Sequence, residues 1–154
     1  MAVTIGSEVP KRPIITSEGE EISLNDFKGK KLVVYFYPKD ETPGCTREAC
    51  EFRDLHDEFE KLGTEVIGVS PDSKESHENF KKNHELAFTL IVDEKHHLAD
   101  EFGVWVLKEK EDKTYHGNER STFIIDEEGI IRKEFRGVTV PGHAADILAE
   151  IKGM

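Results

Sequence analysis

Nothing in this 154-residue chain approaches the roughly 18 to 20 consecutive apolar residues that a membrane-spanning helix needs. The opening Met-Ala-Val-Thr-Ile-Gly-Ser-Glu has neither a basic start nor an apolar stretch, so no secretory signal is read there and a cytoplasmic location is expected. Bases are in short supply: 21 Lys and Arg stand against 32 Asp and Glu, a formal net charge of −11. Phosphate backbones and anionic membranes are held by clustered bases, so neither nucleic acid nor membrane is expected as a partner, and a small neutral substrate suits this surface. Repeats, low-complexity tracts and Pro/Gly/Ser-rich linkers are missing, so residues 1–154 read as a single domain long enough to bury a core. The seven histidines form no His-Glu-x-x-His and no Cys-x-x-Cys occurs, so no metal site is expected. Cysteine is scarcest of all the reactive residue types, with only Cys45 and Cys50.

Both cysteines fall in residues 37–50, where the hydrophobic pattern changes. Residues 32–37 are almost all β-branched or aromatic, as in a central strand buried on both faces, and Pro38 stops them. From Pro43 the apolar residues recur at three- and four-residue steps (Ala49, Phe52, Leu55, Phe59, Leu62), predicting one helix over 43–62 that ends at Gly63. Thr42 suits its N-cap and Pro43 its first turn. Cys45 therefore sits at a helix N-terminus, where unpaired N–H groups and the dipole favour a thiolate. A thiolate with a second thiol in reach supports redox chemistry.

The rest of the chain alternates. A small hairpin is expected over 13–24, turning at 17–20, and a second buried strand at 65–70. Ser73 caps a helix to about His84, a strand follows at 90–92, and Asp93 caps a helix over 95–102. Residues 104–115 give no clear pattern, and the charged run 108–113 reads as an exposed loop. Strands at 121–125 and 130–135 flank a tight turn at 126–129, and a last helix starts near Pro141 or Gly142. This order predicts an α/β fold: a central mixed sheet flanked by helices, thioredoxin-like, with an N-terminal β-hairpin extension.

The string Pro38-x-x-x-Thr42-x-x-Cys45 resembles the active-site signature of peroxiredoxins, thiol peroxidases on an elaborated thioredoxin fold. The fuller Tyr35-Phe36-Tyr37-Pro38 and Thr42-Pro43-Gly44-Cys45-Thr46, with Cys50 five positions on, is similar to the bacterioferritin comigratory protein / peroxiredoxin Q subfamily. Val69-Ser70-Pro71-Asp72 and Arg120-Ser121-Thr122-Phe123 extend the likeness over most of the chain. The resemblance implies that Cys45 is the peroxidatic cysteine and Cys50 the resolving one, closing an intramolecular disulfide. It also implies that Pro38 shields the sulfur, Thr42 donates to it, Arg120 stabilises developing charge, and Pro43 and Gly44 line the substrate-binding turn. Hydrogen peroxide and organic hydroperoxides are the implied substrates, thioredoxin or a glutaredoxin the implied electron donor, with no cofactor and a monomeric state.

Plainer readings stand beside these. Pro38 serves as a strand stop, Thr42 as a cap, Arg120 as a surface ion-pair residue, and Cys50 as a small packed thiol. A thioredoxin-type disulfide oxidoreductase would share the fold, but its chemistry uses Cys-x-x-Cys and the spacing here is Cys-x4-Cys. A cysteine hydrolase would need Cys45 beside a base such as His97 or His116. A non-enzymatic holdase would leave both cysteines structural.

Overall fold

The structure is a computed structural model and describes residues 2–154. The elements are β1 (Ile14–Thr16), β2 (Glu21–Ile22), a 3-10 turn (Leu24–Phe27), β3 (Lys31–Phe36), α1 (Pro43–Asp54), α2 (His56–Lys61), β4 (Thr64–Ser70) and α3 (Lys74–His84). They continue with β5 (Thr89–Val92), α4 (His97–Glu101), β6 (Trp105–Lys110), β7 (Lys113–Asn118), β8 (Ser121–Ile125), β9 (Ile131–Arg136) and α5 (His143–Lys152). None of the described helices is long and apolar enough to cross a membrane.

Period-two alternation in β3 organises the layers. Leu32, Val34 and Phe36 point to one side, Val33, Tyr35 and then Tyr37 to the other, and all six are buried. A strand dry on both faces has to lie inside its sheet, and β3 does: the order is β2-β1-β5-β4-β3-β8-β9. β3, β4 and β5 are parallel, whereas β1, β8 and β9 run antiparallel to their neighbours. One face carries Phe52 and Phe59 from α1 and α2, Phe80 from α3, and Ile147 and Ile151 from α5. The other carries Leu98, Ala99 and Phe102 around α4 with Val9, Ile14 and Leu24. The mixed sheet, the flanking helices and the N-terminal hairpin are as expected from the sequence.

Three local expectations need correction. The helix over 43–62 is two helices, because Leu55 (φ −101°, ψ 5°) leaves helical geometry and its N–H donates to Phe52 O at 3.2 Å. The apolar period ran straight through the break because Leu55 and Leu62 pack on the same core as Phe52 and Phe59; periodicity reports burial, not hydrogen-bond continuity. The helix after Asp93 starts at His97 rather than Lys95, although the Asp93 carboxylate does accept from Leu98 N and Ala99 N at 3.0 Å each. Finally, the expected loop at 108–113 belongs to a hairpin of β6 and β7, turning at Glu111 and Asp112, both at positive φ (51° and 64°).

Candidate active site

Sheet register and helix packing bring the site together. β3 delivers the chain past Tyr37 and Pro38 into the turn before α1. The antiparallel pairing Phe36↔Ser121 sets Arg120, just outside β8, beside the exit of β3. The Arg120 carbonyl accepts from Val138 N (3.0 Å), and Asn118 Nδ2 donates to Tyr37 O (3.2 Å), which fixes that connection against β3. From 75 residues away in sequence, Arg120 Nη2 donates to Cys45 Sγ at 3.4 Å. A Cβ at Gly44 would stand 3.2 Å from the same Nη2, so the bare glycine lets the guanidinium approach the turn.

Cys45 is buried (1% exposed) on the inner face of α1 with Glu48, Ala49 and Phe52, the i, i+3, i+4, i+7 set of one helix face. Cys50 is half-buried and lies about 140° around an ideal helix from Cys45. Both are free thiols. Pro38 is half-buried beside the turn, and Pro43 occupies the first helical position. Thr42 holds the N-cap backbone position, but its hydroxyl caps nothing and donates to Lys39 O at 2.9 Å; no bond from it to the sulfur is formed. The expectation of a capping Thr42 side chain is corrected accordingly.

Glu48 was missed from sequence, although its place three residues after Cys45 in an apolar stripe was the available signal. Arg120 Nη1 donates to Glu48 Oε1 at 2.6 Å, so one guanidinium holds the sulfur with one nitrogen and a buried carboxylate with the other. Arg120 is therefore not the surface ion-pair residue of the plainer reading. Burial opposes its charge, yet Glu48 and Cys45 outweigh burial and hold the guanidinium above its ordinary value. Glu48 Oε2 and Tyr35 Oη are buried without hydrogen-bond partners among the described residues. Desolvation first, then Glu48 and Cys45, pushes the Tyr35 hydroxyl well above its ordinary value, so it stays neutral. Its ring stacks on Phe52 (centroids 4.7 Å), a pair worth about 0.5–1.5 kcal/mol that fixes α1 on β3.

Burial pushes the Glu48 carboxyl up to about 7 against the opposing pull of Arg120. The folded protein therefore binds this proton more tightly than the unfolded chain, where glutamate titrates near ~4.3. That contribution to stability is complete below the unfolded value and is lost as pH rises through about 7. A displacement of this size corresponds to about 4 kcal/mol. Glu48→Gln is expected to exceed the parent in stability at pH 8 by up to that amount and to match it near pH 4. Urea unfolding across this range checks it, and a gain that does not change with pH would contradict the assignment.

Among the described residues, only Arg120 is hydrogen-bonded to the Cys45 sulfur. His116 and His96 instead flank Trp105, His96 with centroids 4.1 Å apart, and His97 meets Arg12; no histidine base serves the sulfur. The β6–β7 hairpin adds Lys108, whose amine is held below its ordinary value by burial and then by Arg120. Asp40, Asp72 and His77 place potential metal-ligand atoms within 4.8 Å of one another, but these atoms are already engaged by Tyr37, Ser70, Ser76 and the Ile91 carbonyl.

A mixed thioredoxin-like sheet with a thiol at the start of a helix and a guanidinium on its sulfur defines a thiol peroxidase. The chain belongs to the AhpC/TSA family, whose model matches residues 5–134. It is 51% identical over 154 residues to peroxiredoxin Bcp of Bacillus subtilis, covering all of this chain and 98% of that one. Among solved structures, the bacterioferritin comigratory protein of Xanthomonas campestris, described for its alkyl peroxide reduction activity, superposes with a TM-score of 0.91 at 40% identity, covering 97% of this chain and 98% of that one. PrxQ of Xylella fastidiosa superposes at 0.94 with 36% identity, covering 99% and 98%. The protein is a peroxiredoxin of the Bcp/Q type.

Proposed function

We propose that Cys45 reduces hydrogen peroxide and organic hydroperoxides, that Cys50 resolves the product, and that thioredoxin or a related dithiol protein restores the enzyme. The observation that carries this reading is the Arg120 guanidinium placed on Cys45 Sγ and braced by Glu48. The Cys45 thiolate attacks the terminal peroxide oxygen, the O–O bond breaks, and the departing oxygen takes a proton to leave as water or an alcohol. Sulfur keeps the other oxygen as a sulfenic acid. Arg120 is the counter-charge for the attacking thiolate and for the negative charge growing on the departing oxygen. The N–H groups of Gly44 and Cys45 at the start of α1 hold the peroxide, Pro38 and Pro43 limit water around it, and Thr42 turns its hydroxyl to the reacting atoms once substrate arrives.

Cys50 then attacks the sulfenic sulfur, the S–S bond forms, and water leaves. Five residues along an ideal helix separate Cα atoms by roughly 8–9 Å, whereas a disulfide needs less than about 7 Å. Both cysteines lie in α1, so its first turns unwind in each cycle. The oxidised enzyme is expected to lose helical circular dichroism equivalent to those turns; unchanged helix content would refute this step. Cys50→Ser is expected to consume one equivalent of peroxide at close to the parent rate and then to stop, followed as loss of peroxide itself, with no NADPH oxidation through thioredoxin reductase and thioredoxin. Sustained turnover of that variant would remove Cys50 from the mechanism.

A further inference from the structure

The strap of chain between β3 and α1, residues 38–42, carries Pro38 and Thr42. It is held by polar side chains. The buried Asp40 carboxylate receives Tyr37 Oη on Oδ1 (2.6 Å), and Ser76 Oγ (2.8 Å) and His77 Nδ1 (2.7 Å) on Oδ2. Its backbone N–H donates to Asp72 Oδ2 at 2.8 Å, and Asp72 is itself set by Ser70 Oγ (2.6 Å). His77 is fully buried. Its Nε2 lies 2.8 Å from the Ile91 carbonyl, so the ring spans Asp40 and the β5 backbone with one nitrogen on each. Burial and nearby negative charge keep the Tyr37 hydroxyl protonated, hence a donor to the same carboxylate.

One turn pair further along the same face of α3 is a second grip. Asn83 Nδ2 and His84 Nε2 each lie 2.7 Å from the carboxylate of Glu41, a non-glycine residue at φ 62°. Beyond the cysteines, Arg53 Nη1 donates to His84 O at 2.9 Å. Helix α3 and its end thus hold the chain on both sides of the segment that contains Cys45 and Cys50, at Asp40 and Glu41 before it and at Arg53 after it.

We propose that His77 is a positioning residue for the peroxidase reaction: through Asp40 it keeps residues 38–42 rigid in both redox states, so that the unwinding of α1 is confined to 43–53. The proposal deepens the reading above, since it assumes that Cys45 reacts and that α1 opens. Its content is separate, because it says which part of the site does not move. After opening, Pro38 and Thr42 are still in place, and refolding of α1 alone restores the reactive geometry.

Two measurements test it. Amide exchange by mass spectrometry on the parent, reduced and then oxidised with one equivalent of hydrogen peroxide, is expected to show lost protection over 43–53 and unchanged protection over 38–42. Loss of protection in both segments overturns the confinement. Stopped-flow oxidation of Cys45 by hydrogen peroxide is expected to slow about tenfold or more in His77→Leu, since displacement of a reacting group by about 1 Å can cost up to ~10². His77→Asn, whose amide can replace the donor to Asp40, is expected to recover to within about threefold of the parent and also serves if the leucine variant fails to fold. A parent rate for His77→Leu, or equal defects in both variants, overturns the positioning role, because a purely structural histidine would lower the unfolding midpoint without setting the rate of the folded fraction. If peroxide produced no loss of two hydrogens between Cys45 and Cys50, the resolving role would fall, and the rate comparison would still decide the role of His77.

Discussion

Cys45→Ser is expected to consume no hydrogen peroxide above the uncatalysed rate. A serine hydroxyl holds its proton at neutral pH, and oxygen has no counterpart of the sulfenic acid in which to store the transferred atom. The change is close to isosteric at a site that is 1% exposed, so the Arg120–Glu48 pair, the Tyr35–Phe52 stack and the fold should survive. The measurement is peroxide-dependent NADPH oxidation coupled through thioredoxin, with circular dichroism to show the variant folded. Mass spectrometry adds a direct check, since one equivalent of peroxide should add no oxygen at residue 45. Residual turnover in this variant would move the chemistry to another group.

The second large effect is expected at Arg120. Replacing it by methionine removes the donor to Sγ and the partner of Glu48 in one step. Loss of one preorganised donor at a site of developing charge costs about 10²–10³ in rate. The orphaned Glu48 also matters, because removing one partner of a buried ion pair destabilises by about 3–5 kcal/mol unless the survivor neutralises. The two losses can be separated. Arg120→Met combined with Glu48→Gln is expected to recover most of the stability and none of the rate with hydrogen peroxide. Recovery of both would mean that Arg120 acts only as a brace for α1. Arg120→Lys should fall between, as an ammonium cannot reach sulfur and carboxylate together with the fork of a guanidinium.

What could be read from sequence followed from locality. Pro38, Thr42, Pro43, Gly44 and Cys45 lie in one short string, and β3 announced itself as a strand buried on both faces. Arg120 stands 75 residues from the sulfur it touches, and only the likeness to a family pointed to it. Glu48 was within reach: writing out the inner face of α1 as Cys45, Glu48, Ala49 and Phe52 shows an acid where an apolar residue was due. The β6–β7 hairpin was illegible because it stands off the main sheet with Leu107 and Tyr115 exposed, so no buried face imposed an alternating pattern. His77 and Asp40 join across 37 residues through a lone helix histidine, and neither the spacing nor the composition marks such a pair.

Glu48 lies between the two cysteines, inside the stretch that the proposed resolution step opens. Unwinding is thus a hydration event for one carboxyl group: a side chain that sits dry, with one oxygen unpartnered, passes into water. Below neutral pH the group is uncharged in the closed helix and gains little by the move. Above about 7, where the closed form has to hold it as an anion, hydration offsets part of the cost of breaking the first turns of α1. In the proposed cycle, the acid that braces Arg120 for the first chemical step lowers the barrier to the second, and the helix is expected to let go more easily as alkalinity rises.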